Sequence, residues 1–424
     1  MNVHTSQPRT PAETALIEAF SERVGDLPGN ADVAVARDTA LEALKIQGLP
    51  SRRIESWHYT DLRTLLRSVA PFDPAAGSQA IAPLIPGSTV AAVSNGATIS
   101  AGQADGVTFG KLSDKLADGT FAPSLATRST DDLIGQINAA YVTDGWSVDI
   151  AEGTQLEAPI ELQNLQKWGQ GHVRFPVRVG RQAKATIVER QYGGEDEAFS
   201  SSISQLTLAD GAEVVWIILR QHSDTSSVQL AQFNASLGKD AKLTLFIVNA
   251  GGKLVRQEVH VQARGEGSDF QLRGINLLGD ATHTDVTMTV GHLVENTTST
   301  EIVRNVVTGR ARGAFQGMIR VAQIAQKTDA RMACNSLLLS DDSEFDAKPE
   351  LEIFADDVAC GHGATVAEID QDHLFYLMAR GIPEKEARGL LVKAFVAEII
   401  EELEDEPLVE VLEGILEDWL SAHA

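Results

Sequence analysis

Four stretches of this chain, RQAKATIVERQ, ADGAEVVWIIL, GKDAKLTLFIV and GEGSDFQLRGI, can be laid over one another on the small residue that opens each apolar run. Those residues are Ala183, Ala212, Ala241 and Ser268, at intervals of 29, 29 and 27 residues. Each block starts with a Gly/Asp/Lys turn, runs into an apolar strand, and passes through polar residues to a second strand. Self-similarity at this period marks a solenoid, whose coils bury their apolar faces only by stacking on a neighbour. Coils of strands without intervening helices imply a β-helix. The competing architecture is a β-sandwich of short antiparallel hairpins, with turn signals every ~8–12 residues and tight two-residue turns. Such turns are few, Asn95-Gly96 and Asp210-Gly211, and the period favours the solenoid.

Helical spacing brackets the strands. TPAETALIEAFSERV puts Ala15, Leu16, Ala19, Phe20 and Val24 at helical intervals after a Thr/Pro start, and Ala31 to Gln47 does the same before Gly48. A third segment, SRRIESWHYTDLRTLL, gathers Trp57, Tyr59, Leu62, Leu65 and Leu66, and PFDPAAGSQAIAPLIPG reads as a connector. Strand signals dominate from Trp146 to Val358. Beyond them VAEIDQDHLFYLMARG, EKEARGLLVKAFVAEIIEEL and a last segment opened by Pro407 return to helical spacing. The chain thus divides into an N-terminal helical region over 1–80, a mixed connecting segment over 81–145, a β-helix core over 146–366 and a C-terminal helical domain over 367–424. The acidic C-terminal helices read either as a cap closing the open end of the solenoid or as a docking surface, because their apolar stripe is wider than one packing face requires.

Composition removes several function classes. A net charge of −24 repels phosphate backbones and anionic lipid, so neither nucleic acid nor a membrane surface is an expected partner. Two cysteines cannot build a disulfide framework or a four-cysteine zinc module. The first residues show no apolar signal-peptide run, and no stretch reaches the ~18 apolar residues that would cross a bilayer, which predicts a cytoplasmic protein. There is no G-x-x-x-x-G-K-[ST] phosphate loop, no G-x-S-x-G elbow and no H-E-x-x-H zinc helix. Asp341, Asp342 and Glu344 fall together in a loop, where a calcium or acid–base role competes with a solvated turn.

One pair carries chemistry. In Cys360-Gly361-His362-Gly363, extended backbone would point positions i and i+2 to the same side, so that thiolate and imidazole converge. The glycines leave room for another body to approach. Thiolate with imidazole suits zinc, iron and iron–sulfur clusters, but two ligands do not fill a site, so the rest must come from elsewhere, as from another chain. The alternative is a structural role for both side chains. Cys334 alternates with apolar neighbours and reads as a buried small hydrophobe. His58, His172, His222, His260, His283, His292 and His373 are scattered and form no ligand-spaced pair.

The residues from Met332 to Ile400 (MACNSLLLSDDSEFDAKPELEIFADDVACGHGATVAEIDQDHLFYLMARGIPEKEARGLLVKAFVAEII) resemble the C-terminal signature of the SufB/SufD family, the scaffold subunits of the SUF iron–sulfur cluster assembly machine. D-A-K-P-E-L-E-I, C-x-H-G-A-T and L-F-Y-L-x-x-R-G-I appear in order, and SRRIESWHYTDLRTLL resembles the family's N-terminal lead-in. Members of the SufB type carry acidic residues beside the corresponding histidine and additional cysteines. Here Gly361 and Gly363 flank His362, and only Cys334 and Cys360 exist, so the likeness is to the SufD type. The resemblance implies a right-handed parallel β-helix between helical ends, a heterodimer with a SufB-type paralogue, and docking of a SufC-type ABC ATPase on the C-terminal helices. It assigns His362, and less firmly Cys360, to a site where a transient iron–sulfur cluster or iron is held at the heterodimer interface. It places ATPase docking on Lys393, Phe395, Glu398 and Ile399. ATP hydrolysis would then belong to the partner, and this chain would be a scaffold and not an enzyme. Complexes of this family can also bind reduced FAD. A β-helix with an open edge has reason to homodimerise when isolated.

Two readings from other classes remain at this stage: a β-helix enzyme acting on polysaccharide, which would need a carboxylate array on successive coils that the chain lacks, and a purely structural solenoid in which Cys360 and His362 are packing residues.

Overall fold

Each repeat folds as one coil, and each coil contributes a strand to two different sheets. The computed structural model describes residues 8–73, 77–193, 196–221, 225–403 and 405–423. One sheet holds β1 (Thr89–Ser94), β2 (Ala97–Ala101), β5 (Ile160–Gln166), β7 (Lys184–Gly193), β9 (Glu213–Gln221), β11 (Lys242–Ala250), β13 (Asp269–Leu278), β15 (Thr298–Val307), β17 (Asp329–Leu338) and β19 (Ala359–Glu368). The other holds β3 (Val107–Lys111), β4 (Asp144–Ile150), β6 (Gly169–Val179), β8 (Ala198–Leu208), β10 (Ser227–Leu237), β12 (Leu254–Ala263), β14 (His283–His292), β16 (Arg312–Val321) and β18 (Glu344–Ile353). From β5 and β4 onward, neighbours in each sheet pair in parallel. That pattern is a parallel β-solenoid and excludes the antiparallel sandwich. Asn95 and Gly96, both at positive φ (46° and 79°), make a true hairpin turn between β1 and β2, whereas Gly211 (φ 67°) belongs to a solenoid corner.

The repeat is set by its corners. Gln182, Gly211, Asp240, Gly267, Asn296 and Lys327 all sit in the left-handed region, at φ between 53° and 74°. Each precedes a buried small residue: Ala183, Ala212, Ala241, Ser268, Thr297 or Thr328. The left-handed residue turns the chain and the small one fills the tight inside of the bend, which is why the sequence repeat is visible at those positions.

Between the sheets lies an apolar core that includes Trp216, Phe233, Leu245, Phe270 and Phe315. One interior register is polar. Asn164, Gln191, Arg220, Asn249, Asn276, Asn305 and Ser336 stack on successive strands of one sheet. Asn249 donates to Asn276 and Asn276 to Asn305, each at 2.7 Å, and Asn305 donates to Ser336 Oγ at 3.0 Å. Stacking identical amides satisfies buried groups that would otherwise be costly.

The N-terminal helices follow the sequence reading. α1 (Pro11–Arg23) starts on a Thr10–Glu13 capping box, and α2 (Ala31–Gln47) starts on Asn30 and stops at Gly48. With α3 (Leu62–Leu65), α4 (Leu112–Ala117) and α5 (Leu133–Tyr141) they cover Phe199, Val228, Leu230 and Leu254 of the even-numbered sheet. Residues 51–61 are less helical than their apolar spacing predicts, forming only one 3-10 turn, Glu55–Trp57. They strap the same sheet instead: Trp57 lies 4.5 Å from the Arg256 guanidinium, and Thr60 bonds His283 and Asp285.

At the other end, β19 runs on to Glu368, so Val366 to Glu368 are strand and not the start of a helix. α6 (Gln371–Ala379) begins only after its N-cap, Asp370. α6, α7 (Glu384–Ile400) and α8 (Glu406–His423) do not close the end of the solenoid. Val392, Val396, Ile399, Leu412 and Leu416 pack on Ile217, Leu219, Phe246, Val248, Ile275 and Leu277, the outward side chains of the odd-numbered sheet. Among the described residues no helix is long and apolar enough to cross a membrane.

Candidate functional site at the open end of the solenoid

With the helices on the side wall, the last coil stays uncovered. β19 is exposed along nearly its whole length and β18 is half-buried, and each is the outermost strand of its sheet. Cys360 pairs in register with Ala330 and His362 with Met332, both buried members of the core. Alternation therefore turns Cys360 and His362 to the same, interior-facing side of a strand that no further coil covers. With Arg331, Met332, Ala359 and Gly361 they line an open depression at the rim. The thiol is half-buried against the core, while the imidazole is exposed. A Cβ added at Gly361 or Gly363 would meet no atom within 4 Å, so the glycines do leave space beside the pair.

Burial, reinforced by the nearby charge of Asp329, raises the Cys360 thiol above its usual range, against the backbone hydrogen bond with Ala330. The group is a neutral thiol that a metal ion would have to deprotonate. Among the described residues, no group of three or more His, Cys, Asp or Glu side chains could hold a metal ion. The pair lies on an uncovered strand with open space beside it, where a second body has room to approach.

Cys334 is fully buried, and burial pushes its thiol up to about 12 even though Asn305 donates to its sulfur at 3.4 Å. It pairs with Ala364, four positions along β19 from Cys360, or ~13 Å, beyond disulfide reach. Asp341 and Asp342 are exposed, and Glu344 pairs with Arg312 at 3.3 Å, as in a solvated turn. His172 and His292 are buried, and loss of water brings them down to about 3 and about 4, so both are neutral. His222 lies outside the described residues.

Of the four residues assigned to ATPase docking, Glu398 is exposed, Lys393 and Phe395 are half-buried, and Ile399 is 1% exposed, on the side of α7 that packs against the sheet. Phe395 is half-buried, with the Arg304 guanidinium 5.1 Å from its ring. Glu398 pairs with the same Arg304, and Lys393 pairs with Glu417 of α8, both at 2.6 Å. The wide stripe exists because α7 packs on both the sheet and α8. The apolar side chains that this layer does expose are Phe375 (73%), Tyr376, Met378 and Leu390.

Glu301 escaped the sequence reading. It occupies β15 in an interior position and is fully buried. TSTEIVRN looks like an ordinary strand with one wet face, and only counting the alternation back from Val303, a core residue, would have turned Glu301 inward.

A family model described as "SUF system FeS cluster assembly, SufBD core domain" matches residues 163–395. The iron–sulfur cluster assembly protein SufD of Escherichia coli is 28% identical over 87% of this chain and 88% of its own length. The chloroplastic protein ABCI7 of Arabidopsis thaliana is 28% identical over 86% of this chain and 81% of its own. A SufBD family protein of Mycobacterium tuberculosis is 26% identical over 92% of this chain and 91% of its own.

Proposed function

The chain belongs to the SufBD core family of iron–sulfur cluster assembly proteins, and from that premise we propose that it is the SufD-type scaffold subunit of a SufB–SufC–SufD complex. Its role is to hold transient iron or a nascent cluster between its own Cys360 and His362 and ligands of a SufB-type partner. The observation that carries this reading is the incomplete pair at an uncovered strand, facing the interior side of the last coil yet open to solvent. A site meant to release its cargo is better shared than closed, because parting the two chains removes ligands without unfolding either one.

The ATPase is a separate subunit in this proposal, since the chain has no phosphate loop. We place its docking on the exposed side of α6 and α7, around Phe375, Tyr376, Met378 and Leu390. The protein acts as a scaffold in the cytoplasm. The test is His362→Ala, with Cys360→Ala beside it, in the complex co-purified without oxygen. Iron and acid-labile sulfide should fall severalfold in His362→Ala while the three subunits still co-elute. An undiminished cluster yield would refute the assignment, and loss of the partner chains would make His362 a packing residue.

A further inference from the structure

The shared-site reading leaves one buried acid without a task. Leu272, Glu301, Met332 and His362 occupy a single interior register on β13, β15, β17 and β19. Glu301 is 0% exposed, and no well-formed hydrogen bond reaches its carboxyl oxygens among the described residues; the Ser299 hydroxyl and the Glu301 backbone N–H are the donors beside them. Glu189, another fully buried acid, shows what a structural carboxylate looks like in this fold. Gln191 donates to it at 2.7 Å, Ser204 at 2.6 Å and Trp216 at 3.1 Å. Donors of that kind are what makes an ionised carboxylate tolerable in an interior.

The charged and titratable groups that face Glu301 are few. Asp269 and Arg273 lie on β13, and Cys360 lies on β19. Ser299, on its own strand, is held by His292 of β14 at 3.1 Å. Burial keeps the carboxyl neutral, up to about 8, with Ser299 and Arg273 limiting the rise. His362 is two strands away, ~10 Å, with Met332 between.

We propose that Glu301 is the interior counter-charge of the Cys360–His362 site, neutral while the rim is empty and ionised when a divalent cation such as ferrous iron is held there. The inference rests on the shared-site reading. Where the partner's ligands are uncharged, the charges balance within this chain: His362 binds as neutral imidazole, the Cys360 thiol gives up one proton to solvent, and Glu301 gives up a second. A thiolate and a carboxylate together cancel the two positive charges of the ion. The thiolate alone leaves one, which at ~10 Å and an effective dielectric of about 20 favours the carboxylate form roughly tenfold. Glu301 touches no metal in this scheme and acts through the field.

The experiment titrates ferrous iron into the anaerobic complex with its SufB-type partner at pH 7.5 and 5.5, following affinity and proton release by calorimetry in buffers of different ionisation heat. Glu301→Gln should bind about fivefold more weakly at pH 7.5, match the parent at pH 5.5, and release roughly half a proton fewer at the higher pH. Glu301→Leu, which copies Leu272 in the preceding coil, should behave alike. The same pH profile and proton count in parent and variants would overturn the proposal. His362→Ala tells the two failures apart. If it abolishes iron binding while Glu301→Gln changes nothing, only the counter-charge falls. If it too leaves binding unchanged, the shared site itself is wrong.

Discussion

An acid buried away from water ties the stability of the chain to pH. Glu301 is raised to about 8 in the folded protein, whereas an unfolded glutamate titrates near ~4.3. Between these values the native state binds the extra proton, so stability is greatest below the unfolded value and falls as pH rises toward 8. Glu301→Leu removes this dependence. Its advantage over the parent in urea unfolding should grow by roughly 3–4 kcal/mol between pH 5 and pH 8. An advantage of equal size at both pH values would show that the carboxyl is not buried in this way. Legibility differs sharply among the residues concerned. Cys360 and His362 announce themselves by spacing and flanking glycines, which are local properties. Glu301 has no local signature, because what singles it out is burial between coils whose strands lie far away in sequence.

Among elements, strands and helices were legible for different reasons. α1 and α2 carry caps, and caps are local chemistry written next to the helix they start. The place of α6, α7 and α8 could not be read, because a stripe on a helix does not say what covers it. The clue lay in the strands: VVWIIL in β9 is apolar on both faces, since Trp216 and Ile218 point inward and Ile217 and Leu219 meet the helices. The amide stack makes a prediction at this scale. Asn276→Ala deprives Asn249 Nδ2 of its acceptor and Asn305 Oδ1 of its donor. Two buried groups left unpaired should cost ~2–5 kcal/mol and lower the melting temperature. A change within experimental error would mean that the neighbouring amides find other partners.

For the whole molecule, the repeat gave the architecture but not its two ends. Solenoid and sandwich were separable because the corner residues recur in sequence, whereas the covering of an end coil depends on chain segments with no repeat of their own. The described structure leaves β18 and β19 as free parallel edges. Free edges pair with other strands, and the isolated chain is expected to form dimers through this end. Val366→Lys, at a β19 position that is 45% exposed, should shift sedimentation toward the monomer and leave circular dichroism unchanged. Dimers that persist at the same concentration would locate the contact elsewhere.

Because the helical layer is seated along the flank of the cylinder and not across its mouth, the protein can be gripped by one neighbour and face another at the same moment. A load applied at the flank would reach the mouth through the stacked, hydrogen-bonded rungs of the coils.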